Sequence, residues 1–355
     1  MTQRENFLRI IAGQPHEFIP VDFSLCPALI EQYHRKTGAP VDYDYWDYFD
    51  FACRNLPVLQ PDDPDLGRFL QYHPDLDDHT TIDWVGVGHR SSPNSFHMTQ
   101  MLHPLGDADS AEQLLAYPLP AFSAGNNPGL KEAANRIHAG GHASVGDMPC
   151  TVWETAWYVR GMENLMMDMM SDDPMADVML DRITDMSVQR AKLYANAGVD
   201  ILYLGDDIGM QSTIMMSEQL YCDWLKPRLK RVIDAARAIK PDIIVFYHSC
   251  GHVTELIPHL IDAGINVLNP IQPESMDFEE VYRDFGDRLA FHGTIGTQSV
   301  MPLGTPDDVR RAVNHNLDIA DHGRLLVAPT HLLEPDVTWA NVMAYVEACR
   351  SRSKM

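Results

Sequence analysis

No apolar run in the 355-residue chain approaches the roughly 20 residues of a membrane-spanning helix, so no span is expected. Positive charge is scarce: 27 Lys and Arg stand against 50 Asp and Glu, a formal net charge of −23. Such a field repels nucleic acid and anionic membrane surfaces, and neither is an expected partner. Cysteine is sparse and scattered, at positions 26, 53, 150, 222, 250 and 349. That spacing is no disulfide framework and fits a reducing cytoplasm, the expected location. The N-terminal stretch MTQRENFLRIIAGQPHEF lacks the apolar core of a signal peptide and reads as a short amphipathic helix. No G-x-G-x-x-G or phosphate loop follows any apolar run, which weakens an open nucleotide-binding sheet.

What is present is a rhythm. From residue 140 onward, short apolar runs that end in small or polar residues alternate with longer amphipathic segments. The runs are HASVGDMP, DILYLGDD, DIIVFYHSCG, INVLNPIQP, RLAFHGTIG and RLLVAPTH, and FIPVDFS near the start reads as another strand. Helical patterns lie near 27–37, 152–163, 175–197, 217–239, 253–263, 277–285, 305–322 and 338–349. Strands alternating with helices predict parallel pairing through right-handed crossovers. Seven clear strands and one obscure one fit a (β/α)8 TIM-type barrel, with a doubly wound open sheet as the alternative. Residues 40–128, rich in Asp, Pro and aromatics, break the rhythm and carry a predicted hairpin around TIDWVGVGHRSSPNSFHMTQMLHPL. They are expected to be an insertion over the barrel mouth, and 1–355 a single domain.

In such barrels the chemistry sits at the C-terminal strand ends. Those ends carry Asp22, Asp147, Asp206 and Asp207, His248 and Cys250, Asn269 and Gln272, His292 and Thr294, and His331. Each taken singly has a bland use; Asp206 or Asp207, for instance, would cap a helix as readily as act in catalysis. Together they converge on one rim. Alternation along a strand points His248 and Cys250 the same way, and His331 at the end of the last strand lies across the mouth from them. One thiolate and two imidazoles suit Zn²⁺ with an open fourth position, while a buried thiol beside two hydrogen-bonded histidines remains the structural alternative.

The segments HSCGHVTELIPHLIDAGINVLNPIQPESMD, FGDRLAFHGTIGTQSVMPLGTPDDVRRAV and LLVAPTHLLEPDVTWANVMAY resemble the uroporphyrinogen decarboxylase superfamily, and within it the methyltransferase-like branch. GDDIGMQSTIMMSEQLYCDWLKPRLKRVID and RENFLRIIAGQPHEFIPVDF fit the same pattern. The resemblance implies a (β/α)8 barrel. It also implies zinc bound through a His-x-Cys pair, matched here by His248 and Cys250, with a distant cysteine whose place is taken by His331 in APTH. That replacement makes the metal less electron-rich and puts thiol-activating chemistry of the coenzyme M type in doubt. True decarboxylases of the family carry an arginine-rich N-terminal stretch for a polyanionic macrocycle, whereas this one offers Arg4 and Arg9.

The activity this implies is zinc-dependent transfer of a methyl group between a small ether, amine or thiol and a corrinoid (cobalamin) on a partner protein. The chain has no D-x-H-x-x-G pattern of its own for cobalamin. His248, Cys250 and His331 would hold the metal, and Asp207 or Asp206 would act catalytically. Glu154, Tyr203, Asn269, Gln272, His292 and Trp84 are the candidate substrate-binding residues, and Phe96 is a further aromatic in the insertion. A second copy of the chain, as a homodimer, is a further allowed partner. The alternative is a metal-independent decarboxylase of a porphyrinogen or small organic acid, centred on Asp207; a non-enzymatic corrinoid-carrier or regulatory barrel is the bland third case.

Overall fold

A computed structural model describes residues 1–91 and 99–352. Ten strands are seen: β1 (Cys53–Asn55), β2 (Thr80–Ile82), β3 (Gly88–Ser91), β4 (Thr99–Leu102), β5 (Ala143–Met148), β6 (Ile201–Gly205), β7 (Ile244–His248), β8 (Val267–Asn269), β9 (Ala290–His292) and β10 (Leu325–Leu326). Seven form one parallel sheet in the order β1-β5-β6-β7-β8-β9-β10, and β2-β3-β4 form a separate antiparallel sheet. Every step in the large sheet after β1 joins neighbours in the sequence, as right-handed βαβ winding requires. The sheet curls, so that residues from all seven of its strands line a shared cavity.

Two departures from expectation bear on the site. The segment predicted as a first strand forms no ladder; it makes a single parallel bridge, Leu25 to Leu333, with Cys26 N–H donating to Leu333 O and Leu333 N–H to Ser24 O. Pro20 removes one donor from it, and its neighbour is an irregular loop. Conversely, the edge strand β1 lies inside 40–128, the stretch read as an insertion, and pairs in parallel with β5.

Period-two alternation divides the sheet. Outward residues such as Leu202, Leu204, Val245, Tyr247, Leu268 and Phe291 pack under the helices in the main core. Inward residues Ala143, Val145, Ile201, Phe246, Val267, Ala290 and Leu326 form a second apolar cluster with Phe7, Ile10 and Ile11 of the helix Gln3–Ile11. That helix therefore floors the concave side, held by a capping box from Thr2 and Glu5. The long helix Pro174–Ala197 starts on an Asp173 cap with Pro174 in its first turn and stops at Gly198, φ 83°. No helix among the described residues is long and apolar enough to cross a membrane.

Candidate metal centre and the cavities beside it

The strand ends deliver their polar groups as adjacent layers. Asp147 pairs in register with Tyr203, Tyr203 with Phe246, and His248 with Asn269. Gly205 lets β6 and β7 approach at the rim, since a Cβ there would sit 2.7 Å from that of His248. Just beyond, Gly251 has φ 82° and would drive a side chain against Met210 O at 2.6 Å, so the turn after Cys250 needs glycine.

Asp206 and Asp207 point opposite ways, as successive residues do on an extended chain. Asp206 is 3% exposed and accepts from the backbone N–H groups of Val152 and Glu154, at the start of the helix Trp153–Arg160. Burial and the nearby Glu154 push its carboxyl well up, against the pull of those donors. Both oxygens are spent on a helix N-terminus, so the structure gives Asp206 a capping use and not the catalytic one expected of it. Asp207 faces the site. Its Oδ1 accepts from Cys250 N–H at 2.7 Å and lies 3.7 Å from His248 Nε2, which is 3.4 Å from Cys250 Sγ.

Asp207, His248 and Cys250 each offer one donor atom, all within 4.8 Å of one another. Donors bound at about 2.0–2.3 Å in a tetrahedron stand roughly 3.4–3.7 Å apart, so this spacing suits a Zn²⁺-sized ion. The carboxylate, imidazole and thiol set is also right for zinc. Burial first, then the charges of Asp207 and Glu154, push the Cys250 thiol up to about 12. A bound divalent cation reverses that cost by stabilising the thiolate. His331 is not in this group. It is exposed, its ring centre 6.3 Å from that of His248, and it lines a cavity of about 380 Å³ with Cys250, Gln272, Gln298 and Glu334. The expected His331 ligand is thus replaced in the compact cluster by Asp207, because the loop after the two-residue β10 leaves His331 at the rim.

A chain of hydrogen bonds orients the imidazole. His248 Nδ1–H donates to Asn269 Oδ1 at 2.6 Å, Asn269 Nδ2 donates to His292 Nδ1 at 2.7 Å, and His292 Nε2–H donates to Asp22 Oδ2 at 3.0 Å. Every link has one donor and one acceptor when His248 carries its proton on Nδ1, and in that neutral tautomer the Nε2 lone pair is the one aimed at Cys250 and Asp207. Tyr203 OH adds a longer bond to Asn269 Oδ1 at 3.3 Å.

Of the candidate substrate-binding residues, Tyr203, Asn269 and His292 line a second cavity of about 390 Å³ on the concave side. Gln272 lines the Cys250 cavity and its Oε1 accepts from Gly251 N–H. Glu154 sits beside Asp207, raised to about 7 by burial and then by the Asp207 charge, while accepting from Tyr158 OH at 2.8 Å. Trp84 lines neither cavity: it packs edge-on to Phe122 and under the Arg190 guanidinium of the long helix. Phe96 lies outside the described residues. Sequence reasoning missed Tyr158 and Cys150, whose Sγ donates to Tyr158 OH at 3.6 Å; the positive φ of Cys150, 55°, leaves no trace in residue type.

Comparison with known proteins adds the following. The family model for uroporphyrinogen decarboxylase (URO-D) matches residues 108–352. A methylated-thiol–coenzyme M methyltransferase of Methanosarcina mazei is 27% identical over 198 residues, 55% of this chain. The match spans half of that curated relative's length, 50%. A solved methyltransferase from Methanosarcina mazei superposes with a TM-score of 0.68 at 17% identity, covering 99% of both chains.

Proposed function

This chain belongs to the uroporphyrinogen decarboxylase (URO-D) family, and on that premise we propose that it is a metal-dependent methyltransferase acting between a small methyl-bearing substrate and a corrinoid on a partner protein. The observation that carries the proposal is the Asp207–His248–Cys250 group, whose donor spacing suits a single zinc ion at the strand ends. When bound there, zinc would act as a Lewis acid on the heteroatom that gains or loses the methyl group. The residues do the rest. His248 is held in one tautomer by Asn269, and Asp207 is anchored by Cys250 N–H. Glu154, raised to about 7 by burial and the charge of Asp207 and so about half protonated at neutral pH, is placed to keep or release a proton as substrate charge changes. His331, at the rim of the thiol's cavity, is the candidate for a further ligand.

Two features favour this over decarboxylation of a polyanion. Among the described residues no Lys or Arg lines either the concave-side or the Cys250 cavity. The relatives matched along the chain are, by name, methyltransferases. The same reading treats 1–355 as one (β/α)8-type domain, in which the segment bridged at Leu25 closes the curl in place of an eighth strand.

The test is metal analysis of the purified protein together with methyl transfer to a Co(I) corrinoid protein. The expected result is one zinc per chain. In Cys250→Ser, zinc and activity are lost while the circular dichroism spectrum and thermal transition are kept, because Cys250 sits at the rim and not in the core. Full activity without stoichiometric metal refutes the proposal.

A further inference from the structure

The concave-side cavity has a chemical character that the metal centre does not explain. We propose that it receives a small organic cation, the ammonium-bearing end of the substrate. Two carboxylates, Asp22 and Asp147, line it, and among the described residues no Lys or Arg does. The Asp147 side chain makes no hydrogen bond or ion pair among the described residues, although burial pushes its carboxyl up. The cation that acts on it electrostatically is Arg190, a residue of the long helix that lies outside the cavity lining and stacks over Trp84 at 4.9 Å. Asp22 accepts from His292 through Oδ2. A carboxylate taken out of water without a partner is costly, and a cationic ligand removes that cost.

The walls match the same ligand. Tyr203 and Phe246 stack with ring centres 5.3 Å apart, Trp46 and Phe51 stack at 6.0 Å, and Phe246 meets His292 edge-on at 5.2 Å. Aromatic faces with carboxylates behind them are how proteins hold methylated ammonium groups. A volume of about 390 Å³ holds a small molecule and not a macrocycle. An anionic substrate such as a sulfonate would meet two carboxylates and, among the described lining residues, no Lys or Arg. The cavity also communicates with the metal centre, since Asn269 forms part of its wall and holds His248 Nδ1.

Calling the cation a substrate rests on the methyltransferase proposal; its binding does not. The test is therefore calorimetric, on the protein as purified, with no corrinoid present. Choline is compared with 3,3-dimethylbutan-1-ol, its neutral carbon isostere, and with the anion 2-mercaptoethanesulfonate. Choline is expected to bind about tenfold tighter than the isostere, and the anion more weakly than either. In Asp147→Asn, choline is expected to lose about tenfold in affinity while the isostere changes by less than about twofold. Equal affinities for choline and its isostere, tightest binding of the sulfonate, or no binding of choline at millimolar concentration overturns the proposal. The wild-type comparison decides even where the variant folds poorly. Cation binding in a protein that never transfers methyl groups would overturn the functional proposal and leave this one standing.

Discussion

Asn269 is the side chain through which the cavity and the metal centre are joined, and replacing it with Leu separates orientation from packing. Leu keeps the branching and heavy-atom count of Asn, but at a position 6% exposed its bulkier methyl groups add some overpacking to the loss of polar contacts. What disappears is the acceptor for His248 Nδ1–H at 2.6 Å and the donor to His292 Nδ1 at 2.7 Å. Each ring nitrogen left without a partner costs about 1–3 kcal/mol, less where cavity water reaches it, so about 2–4 kcal/mol of stability should go. Without the Nδ1 bond, His248 is free to adopt the other tautomer and to turn. Zinc affinity should then fall about 10–100-fold, the usual effect of removing a partner that orients a ligand. Urea titration measures the first quantity and competition with a chromophoric chelator the second. Asn269→Asp is the control: a carboxylate still accepts from His248, and should restore most of the metal affinity. If Asn269→Leu loses the expected stability but keeps zinc affinity within about twofold, Asn269 serves packing alone and the orientation argument is wrong.

Two further outcomes follow from charge. Glu154, at about 7 in the folded protein against roughly 4.3 unfolded, holds a proton that the unfolded chain releases. Its contribution is therefore fully present below about pH 4.3 and is lost as pH rises through about 7, roughly 4 kcal/mol in all at about 1.4 per unit. Metal-free Glu154→Gln should be the more stable protein at pH 8 by thermal unfolding, with a flatter profile below that; parallel profiles would count against the raised carboxyl. Asp200 is the opposite case: burial raises it, but the hydrogen bond from Arg4, the Ser144 N–H and His138 outweigh burial and lower it. Its stabilisation is present above the unfolded carboxylate value and is lost as pH falls through the folded one. Asp200→Asn should cost about 1–2 kcal/mol in denaturant, because it breaks a pair whose carboxylate is buried but whose guanidinium is screened by solvent, while zinc content stays at the wild-type level.

The fold was legible where the chain obeys one period at a time. β5 to β9 and the helices between them follow from apolar runs that end in polar residues and then give way to amphipathic segments. β1 was not legible, because Cys-Arg-Asn has neither alternation nor a turn signal and is a strand only by pairing with β5. The Phe18–Ser24 stretch misled for the reverse reason: its residues favour extended backbone, but extended backbone is a ladder strand only where a partner of matching length exists. At the site, His248 and Cys250 were legible from alternation, with Ser249 between them buried and accepting from Ile208 N–H on the other side. The same rule divides Asp206 from Asp207, but sequence carries no sign of which one meets the helix start at Val152. The distance of His331 from the compact group was not legible because its place depends on the path of a loop, nor was the packing of Trp84 against Arg190 and Phe122, away from both cavities.

The arrangement around His248 also bears on how a methyl transfer would be organised. Cys250 opens onto the polar cavity with Gln272, Gln298, His331 and Glu334, whose rim includes Met210, 53% exposed. The other ring nitrogen of His248 reaches, through Asn269, the aromatic and acidic cavity on the concave side. A small substrate anchored in the second cavity and a bulky corrinoid approaching from the exposed first one need not compete for the same space. Such a division also explains why the charged anchor is kept apart from the metal: a carboxylate such as Asp147 inside the donor group would add negative charge to the ion and weaken its pull on the leaving heteroatom. On this view the acidic cavity selects the substrate and the Asp207–His248–Cys250 group activates it, with Asn269 linking the two through its bond to His248 Nδ1.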